Sequence, residues 1–357
     1  RLAGRFEILG KGTPEVLAAP GRLALAETLR GVDIDGHALA LAELALLAAV
    51  SDEPDHGASR RLIGTSLRRG DHLDFGWQRE AFAPVFARRN PGFDVLIGNP
   101  PYAPLLPAQL SRLREAGFKS LDAKDIYVFF VEAIEHNTRR QGHAGFIVPL
   151  SLVFSRWAKT LREGVILGSK RNWRLASFDR IPSGLFDATV RTRTTLVFAS
   201  GRSDPPKVST TCLRRFRAAQ RPEVFNSIAF FDTHGLCRPD LGFPKLGSEL
   251  QATWLRKLAS TGACLGDGVE RRGAHRLYYK QNCYGFAIVA AQLPPAFGAD
   301  EEPVPQTKYG SLGFPTRAER DIALALLAGR WLFWWWLIYG DGFDMTGKLI
   351  SAFPIDP

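Results

Sequence analysis

Four residues at the end of a short apolar run have the types and spacing to bind an amine. The run, Phe93–Ile97, has the length of a buried strand. Pro100 and Pro101 end it, because neither has a backbone N–H and both fix φ. The Asn99 side-chain oxygen and the Pro100 carbonyl are then placed to accept N–H bonds from an exocyclic amine. Positive charge grows on such a nitrogen as it attacks a methyl group, and fixed acceptors stabilise that charge.

The segment resembles the Asn-Pro-Pro-Tyr motif of the adenine-N6 DNA methyltransferases, with Asn99, Pro100, Pro101 and Tyr102 in its four positions. The resemblance implies that these residues are catalytic, that Tyr102 also stacks on the target base, and that Asn99 borders the methyl donor, S-adenosylmethionine. A plain strand followed by a Pro-Pro turn is the alternative interpretation. The tetrapeptide also resembles that of enzymes that methylate RNA amines or protein glutamine, so it predicts the reaction better than the substrate.

Two acids upstream follow the order of this family's cofactor motifs. Leu29–Asp35 predicts a short strand ending in acids, before an Ala/Leu-rich helix over 36–50. The resemblance places Asp33 on the ribose of S-adenosylmethionine, beside Ile34, and Asp71 on its adenine amine. The alternatives are that the first acids cap the helix and that the Gly-Asp pair is an ordinary turn.

The family's first motif, Asp-Pro-x-x-Gly-x-Gly, which supplies the first strand and the loop under the methionine part of the cofactor, is missing from the sequence. Gly10-Lys11-Gly12 is an alternative source of that loop, although a lone Gly-x-Gly is a weak signal and a plain loop is favoured. We therefore expect the chain to bind the cofactor poorly unless an upstream segment or another subunit supplies that strand.

A second aromatic candidate, Phe186, precedes a strand predicted over 191–199. It matches the position at which family members pack a phenylalanine against a flipped base, and burial in the core is the alternative. Arg191 and Arg193 share one face of that strand, where they would meet phosphates. The implied mechanism is base flipping, because the amine is unreachable inside a duplex.

The charge balance favours a polyanionic partner. The chain has 46 Lys+Arg against 36 Asp+Glu, a net charge of +10, which is consistent with double-stranded DNA as partner. Residues 270–280 interleave cations with aromatic rings, and Arg271, Arg272 and Arg276 are predicted to bind DNA. A solvated charged face is the alternative.

The length, 357 residues, suggests about two domains. We predict an α/β class: a Rossmann-like S-adenosylmethionine-dependent methyltransferase fold, truncated at the first strand, over residues 1–203. A smaller α+β target-recognition domain is predicted over 204–357. One helix is predicted over 318–339, with its many aromatic rings mostly buried.

The four cysteines show no C-x-x-C pairing, so neither zinc nor a disulfide framework is expected, and a reducing cytoplasm fits. No apolar run is long enough to span a bilayer and no signal peptide is recognised, so a cytoplasmic protein without a membrane partner is expected. The mechanism implied above needs no metal.

These features predict a site-specific adenine-N6 DNA methyltransferase of a restriction–modification or phage-defence system, similar to the Eco57I and TaqI type. A truncated, inactive DNA-recognition fragment is one alternative. An amine methyltransferase acting on RNA or protein glutamine is the other. No convincing nuclease motif accompanies the methylation motifs.

Overall fold

The structure, a computed structural model, describes residues 28–49, 56–186, 192–283 and 285–355. Two of the predictions, the alternative Gly10-Lys11-Gly12 loop and the phosphate contact of Arg191, lie outside these ranges. The chain divides into two compact units, residues 1–93 and 94–357, which are described separately.

The first unit contains a parallel pair of strands connected through helices. Its elements are β1 (Gly31–Asp33), α1 (Gly36–Ala49), α2 (His56–Ser66), β2 (Leu67–Arg69), α3 (Phe75–Ala81) and α4 (Ala83–Phe86). Ile63 of α2 is fully buried, with Leu46 and Leu47 of α1 packed against it. Asp33 lies opposite Arg69 in the parallel ladder. This crossover places the carboxyl ends of both strands at one edge.

The second unit contains a six-stranded mixed sheet in the order β3-β4-β6-β5-β7-β8. Its strands are β3 (Phe93–Gly98, starting at the unit boundary), β4 (Thr138–Pro149), β5 (Arg171–Phe178), β6 (Thr194–Arg202), β7 (Val208–Thr210) and β8 (Phe231–Asp232). β6 is antiparallel to β4 and β5, whereas β5 and β7 are parallel. The predicted α/β class is confirmed. Because β7 and β8 belong to this sheet, the sheet extends past residue 203. The domain boundary between 203 and 204 stays a prediction.

Helices lie in the connections of this sheet. They are α5 (Pro107–Glu115), α6 (Tyr127–Glu132), α7 (Ile134–Asn137), α8 (Ser151–Phe154), a 3₁₀ turn (Arg156–Ala158), a π-helical segment (Leu161–Leu167) and a second 3₁₀ turn (Ala218–Glu223). Buried side chains of α6 and α8, including Phe129 and Leu152, have no exposed area. The connections therefore contribute to the core of the second unit.

The C-terminal part of the second unit packs helices on a three-stranded sheet in the order β11-β10-β14. Its elements are α9 (Glu249–Ala259), β9 (Ala263–Cys264), a 3₁₀ turn (Leu265–Gly268), β10 (His275–Lys280), β11 (Val289–Ala290), β12 (Ala296–Phe297), β13 (Pro303–Val304), β14 (Tyr309–Phe314), α10 (Arg317–Leu327), α11 (Arg330–Tyr339), α12 (Gly347–Ser351) and β15 (Pro354–Ile355). One hydrophobic core, centred on α11, joins the helices α9, α10, α11 and α12 with β10 and β14.

The single helix predicted over 318–339 is wrong. The structure has two helices, α10 and α11, bent by 70° at a short break. Gly329 is the N-cap of α11, and a glycine disfavours an uninterrupted helix because it loses the most backbone entropy. The rings of Trp335 and Trp336 are buried as predicted, but Trp331 is 51% exposed. Among the described residues no single helix has the length and apolarity to cross a membrane, and α10 with α11 reaches them only as a bent pair.

Lys245 is completely buried at the end of α11. Its Nζ donates to the carbonyl oxygens of Ile338 and Gly340, each at 2.7 Å, which satisfies acceptors that the helix end leaves without intrahelical donors. Burial lowers the pKa of Lys245 from 10.5 to about 7, and the nearby Asp341 carboxylate opposes this shift.

Stability should therefore rise with pH through this group. The unfolded chain, with a lysine pKa near 10.5, binds the proton more tightly than the folded chain. The contribution of Lys245 to the free energy of unfolding is then lowest below about pH 7 and increases up to about pH 10.5, by at most about 1.4 kcal/mol per pH unit.

Urea unfolding of the wild type and of Lys245→Met between pH 6 and pH 10 tests this. The difference in unfolding free energy should grow with pH in favour of the wild type. Lys257→Met, on the exposed side of α9, is the matched control and should show a constant difference. A constant difference for Lys245→Met would contradict the prediction.

Candidate functional site

The two predicted cofactor acids meet at one edge of the first unit. Asp33 is the last residue of β1, and Asp71 follows β2 by one residue after Gly70. The Gly70 N–H donates to the Asp33 carbonyl at 3.0 Å, which holds the two turns side by side. Carboxyl ends of parallel strands are where nucleotide-binding folds place their ligands.

Each acid is oriented by a local bond. Asp33 Oδ1 accepts the Asp35 N–H at 2.8 Å, and Asp71 Oδ1 accepts the Leu73 N–H at 2.9 Å. Asp35, not Asp33, bonds to the start of α1, because its Oδ1 accepts the His37 N–H at 2.9 Å. The capping alternative therefore describes Asp35, and Asp33 stays exposed at the strand end.

Gly70 is required by a close approach that the sequence did not reveal. A Cβ at this position would lie 2.2 Å from the indole of Trp77, which belongs to α3. Asp74 caps that helix, its carboxylate accepting the Trp77 N–H at 3.0 Å. Trp77 thus fixes the turn that carries Asp71. The predicted neighbour Ile34 is 68% exposed, so its apolar side chain is accessible at the same edge.

The Asn-Pro-Pro-Tyr segment leaves β3 as predicted. Asn99 is exposed, Pro100 is buried and Pro101 is exposed. A Cβ on Gly98 would lie 3.2 Å from the Phe146 ring of β4, so the strand end packs tightly against its neighbour. The turn therefore presents the Asn99 amide to solvent from a backbone that Pro100 anchors in the protein.

Tyr102 is held in place by two contacts. Its hydroxyl donates to the Ile147 carbonyl of β4 at 3.0 Å, and its ring packs edge-on against Tyr127 at 6.4 Å between centroids. Desolvation raises the pKa of Tyr102 to about 12, so the hydroxyl stays protonated and keeps donating. Tyr127 is in turn bonded to the Ser151 hydroxyl at 2.8 Å. These contacts restrict the orientation of the Tyr102 ring.

The segment after the turn contains regular structure despite its prolines. It contains α5, which begins at Pro107. The Lys119 and Ser120 N–H groups donate to the buried Glu132 carboxylate at 2.7 and 3.0 Å. The Ile126 N–H donates to the Ala103 carbonyl at 3.0 Å. Both ends of the segment are thus tied to the second unit.

Phe186 lies between β5 and β6 and is half-buried. Arg193, predicted to lie on the strand over 191–199, instead precedes β6, and only 14% of its side chain is exposed. Arg193 Nε donates to Asp179 Oδ1 at 2.8 Å and its Nη2 donates to the Gly342 carbonyl at 2.9 Å. The phosphate contact of Arg193 stays a prediction, but these donors face protein acceptors.

The basic segment before β10 is accessible. Arg271 and Arg272 are exposed, whereas Arg276, on β10, is half-buried. The Arg276 Nη1 donates to the Arg271 carbonyl at 3.4 Å, so one arginine supports the turn that carries the other two. The predicted DNA contacts of this segment have the exposure that they require.

A cavity of about 250 Å³ opens at the carboxyl end of β4. Its lining combines apolar side chains with two guanidinium groups and one carboxylate. Its lining residues are Pro149, Leu150, Ser151, Phe154, Arg180, Thr192, Arg193 and Asp341. Ser151 connects it through Tyr127 to Tyr102, so the cavity and the Asn-Pro-Pro-Tyr turn share one contact network.

Comparison with known proteins gives one family and several solved structures. Residues 27–180 match the family described as Eco57I restriction-modification methylase. No curated protein matches the chain. A DrdV–DNA complex is 18% identical, covering 64% of this chain and 25% of its own, with a TM-score of 0.47. A nuclease-deletion mutant of the Type ISP restriction-modification enzyme LlaGI, bound to a DNA substrate mimic, is 15% identical with the same coverage and a TM-score of 0.44.

A modification subunit of a putative type I restriction enzyme from Vibrio vulnificus YJ016 is 14% identical, covering 65% of this chain and 48% of its own, with a TM-score of 0.39. The chain spans about a quarter of the length of the first two structures. Scores below 0.5 define no common fold, so the family match is the finding that bears on function.

Proposed function

We propose that this chain methylates N6 of a flipped adenine at specific sites in double-stranded DNA, since residues 27–180 match the family described as Eco57I restriction-modification methylase. The methyl donor would be S-adenosylmethionine. The observation that supports the proposal best is the Asn99–Tyr102 turn, which leaves β3 with an exposed amide and an anchored aromatic ring.

The turn would act on the target amine through fixed acceptors. The Asn99 side-chain oxygen and the Pro100 carbonyl accept hydrogen bonds from its two N–H groups. These bonds localise on the nitrogen the lone pair that is otherwise delocalised into the ring. These acceptors stabilise the positive charge that develops as the N–C bond forms, and they need no reorganisation because Pro100 is buried. Solvent accepts the proton that the amine then loses.

The extruded base would be held by aromatic contacts. Tyr102 offers a ring whose hydroxyl is bonded to β4, so the ring keeps one orientation when a base stacks on it. Phe186, half-buried between β5 and β6, is proposed as the second aromatic contact. Stacking contributes on the order of 1–3 kcal/mol per base, which offsets part of the cost of unpairing.

The first unit fits the nucleoside part of the cofactor. Asp33 would accept the ribose hydroxyls, Asp71 the adenine amine, and Ile34 would contact the adenine ring. When bound, S-adenosylmethionine supplies a methyl group activated by a sulfonium. The exposed Asp33 carboxylate at the end of β1 supports this assignment.

A further strand is proposed to complete the site. β3 pairs with β4 on one side and, among the described residues, with no strand on the other. Val95 and Ile97 of β3 are 54% and 73% exposed, whereas central strands of α/β sheets are covered on both faces. An upstream segment or another subunit carrying the Asp-Pro-x-x-Gly-x-Gly motif would add to this edge.

Asp33→Ala is expected to raise the dissociation constant for S-adenosylmethionine by about 10-fold to 100-fold, because two charge-assisted hydrogen bonds are lost. Isothermal titration measures the effect on the chain together with a polypeptide that carries the Asp-Pro-x-x-Gly-x-Gly strand and loop, here called the first-strand segment. Asp35→Ala is the matched control, since Asp35 bonds to the start of α1 and should change stability more than affinity. Equal losses of affinity in both variants would contradict the assignment of Asp33.

Replacing both Arg271 and Arg272 with Ala is expected to weaken binding to duplex DNA of any sequence and to reduce the slope of log affinity against log salt by about 2. Fluorescence anisotropy at several salt concentrations measures this slope. The exposed pair Arg88 and Arg89, in the first unit, provides the control. An unchanged slope for the 271/272 variant would remove this segment from the DNA interface.

Transfer of tritium from labelled S-adenosylmethionine to duplex DNA, to RNA and to protein tests the proposed function. Labelling of duplex DNA on adenine N6 is expected. Labelling of RNA or of protein glutamine would replace the substrate and keep the chemistry. DNA binding without labelling, even with the first-strand segment supplied, would favour the inactive DNA-recognition fragment, for which the exposed Arg271 and Arg272 are the specific evidence.

A further inference from the structure

One buried carboxylate in the second unit bonds to two arginines from different segments. Asp179 directly follows β5, and only 1% of its side chain is exposed. Its Oδ1 accepts Arg193 Nε and its Oδ2 accepts Arg215 Nε, each at 2.8 Å. The Arg180 N–H also donates to Oδ1, at 2.7 Å. Burying a carboxylate to this extent costs free energy unless such partners bond to it.

The ion pair closes the segment that carries Phe186. The last pair of the β5–β6 ladder is Phe178 with Thr194. Asp179 and Arg193 are the next residues outward, so their bond joins the two ends of the connection between the strands. Asp179 is itself bonded to Arg215, and it begins the described residues 179–186, here called the Phe186 segment.

Arg193 extends the same network to a C-terminal turn. Its Nη2 donates to the Gly342 carbonyl at 2.9 Å, and its guanidinium lies over the Phe343 ring at 5.9 Å from the centroid. Gly342 has φ +83°, and a Cβ there would lie 2.8 Å from Leu213 and 3.0 Å from Arg193. Only glycine allows this approach without strain. The turn after α11 is thus bonded to Arg193, the ion-pair partner of Asp179.

The cavity lies at this junction. The cavity is lined by Arg180, which follows Asp179 in the sequence, and by Arg193, which is paired with Asp179. Asp341 of the C-terminal turn also lines it. The cavity also reaches Ser151, whose hydroxyl belongs to the contact network of Tyr102. A shift of Asp179 would therefore move one wall of the space beside the proposed base-binding turn.

We propose that Asp179 is a positioning residue for base extrusion. This assignment of Asp179 rests on the proposed function. Through Arg193, Asp179 fixes the segment of Phe186 and the C-terminal turn in one arrangement, and this arrangement retains the extruded base long enough for methyl transfer. Asp179 itself touches neither base nor cofactor in this assignment. The ligand in this arrangement is the unstacked base of a DNA strand, held between the Tyr102 turn and the Phe186 segment.

A purely structural ion pair offers the matched control. Arg171, at the opposite end of β5, is buried and its Nε lies 3.0 Å from Glu135 Oε1. Asp179→Asn and Glu135→Gln each remove one carboxylate charge that faces two arginines, at opposite ends of β5. The two variants should lose comparable stability, but only the first lies beside the Phe186 segment.

The test uses duplex DNA with 2-aminopurine in place of the methylated adenine, located first by sequencing plasmid DNA modified by the wild type. The fluorescence of 2-aminopurine rises when the base leaves the stack. The value of kcat is measured on the same duplex with adenine at that position. All variants are assayed with the first-strand segment and at a temperature at which each is folded. Asp179→Asn is expected to lower both the fluorescence rise and kcat on the order of tenfold, with KM for S-adenosylmethionine unchanged. Glu135→Gln should behave as the wild type, and Asp179→Glu should restore part of the signal.

A wild-type fluorescence rise in Asp179→Asn, or equal losses in Asp179→Asn and Glu135→Gln, would overturn the positioning role while leaving the proposed function intact. Failure of the wild type itself to extrude the base or to methylate DNA would overturn the proposed function, and this assignment with it. If Asp179→Asn does not fold, Arg193→Lys takes its place, because it keeps the charge beside Asp179 but loses the fork to Gly342. The same loss of signal is expected, and a wild-type signal would overturn the proposal.

Discussion

Replacing Asn99 with Ala is expected to reduce methyl transfer to adenine by about 10²-fold to 10³-fold. The variant loses one of the two acceptors that face the amine, and the acceptor acts mainly in the transition state, where the nitrogen carries most charge. The loss should therefore appear in kcat, with little change in DNA affinity. Asn99 is exposed, so the substitution should leave the thermal stability of the chain unchanged.

Single-turnover kinetics with labelled cofactor and saturating DNA measures this effect. Asn226→Ala, another exposed asparagine of the second unit, is the matched control and should retain full activity. Thermal unfolding of both variants should match the wild type. Undiminished adenine methylation by Asn99→Ala would remove the amine-binding turn from the mechanism.

The second large effect concerns the cofactor. The isolated chain is expected to show no micromolar affinity for S-adenosylmethionine, because the sequence lacks the family's first motif and β3 has an edge with no strand beside it among the described residues. Adding a polypeptide that carries the strand and its glycine loop should strengthen binding at least tenfold, which corresponds to about 1.4 kcal/mol. Hydrogen bonds from several backbone N–H groups of the glycine loop to the methionine part of the cofactor would contribute more binding free energy than this.

Isothermal titration with and without the added polypeptide measures this change. A polypeptide whose glycines are replaced by valine is the control, since it can still form the strand but not the close approach to the cofactor. Micromolar binding by the isolated chain would contradict the prediction. In that case Gly10→Val with Gly12→Val would show whether the chain's own Gly-x-Gly supplies the loop.

Local chemistry made the Asn99–Tyr102 turn predictable. Two consecutive prolines cannot continue a strand, so the turn had to follow Phe93–Ile97, and the structure ends β3 at Gly98. The position of Asp33 was predictable from the short run Leu29–Asp35, because Asp33 is the last residue of β1. The pairing of those strands, through Gly70 and Asp33, depends on a parallel crossover that local sequence does not encode.

Long-range partners account for what sequence patterns missed. No local pattern indicates that the Arg193 guanidinium bonds to a carbonyl 149 residues away, at Gly342. The helix α5 was not predicted, although Pro107 occupies its start, where a missing N–H has no cost. The break between α10 and α11 was hidden because apolar residues recur on both sides of Gly329.

The most direct test of the central claim is the content of N6-methyladenine in plasmid DNA. The plasmid is recovered from cells that express the chain with its first-strand segment, carrying either the wild-type sequence or Asn99→Ala, and its nucleosides are quantified by mass spectrometry. The wild type should produce N6-methyladenine at one recurring sequence, and the variant should produce almost none. Equal N6-methyladenine in both plasmids, or none in either, would contradict the claim that the Asn99 turn methylates extruded adenine.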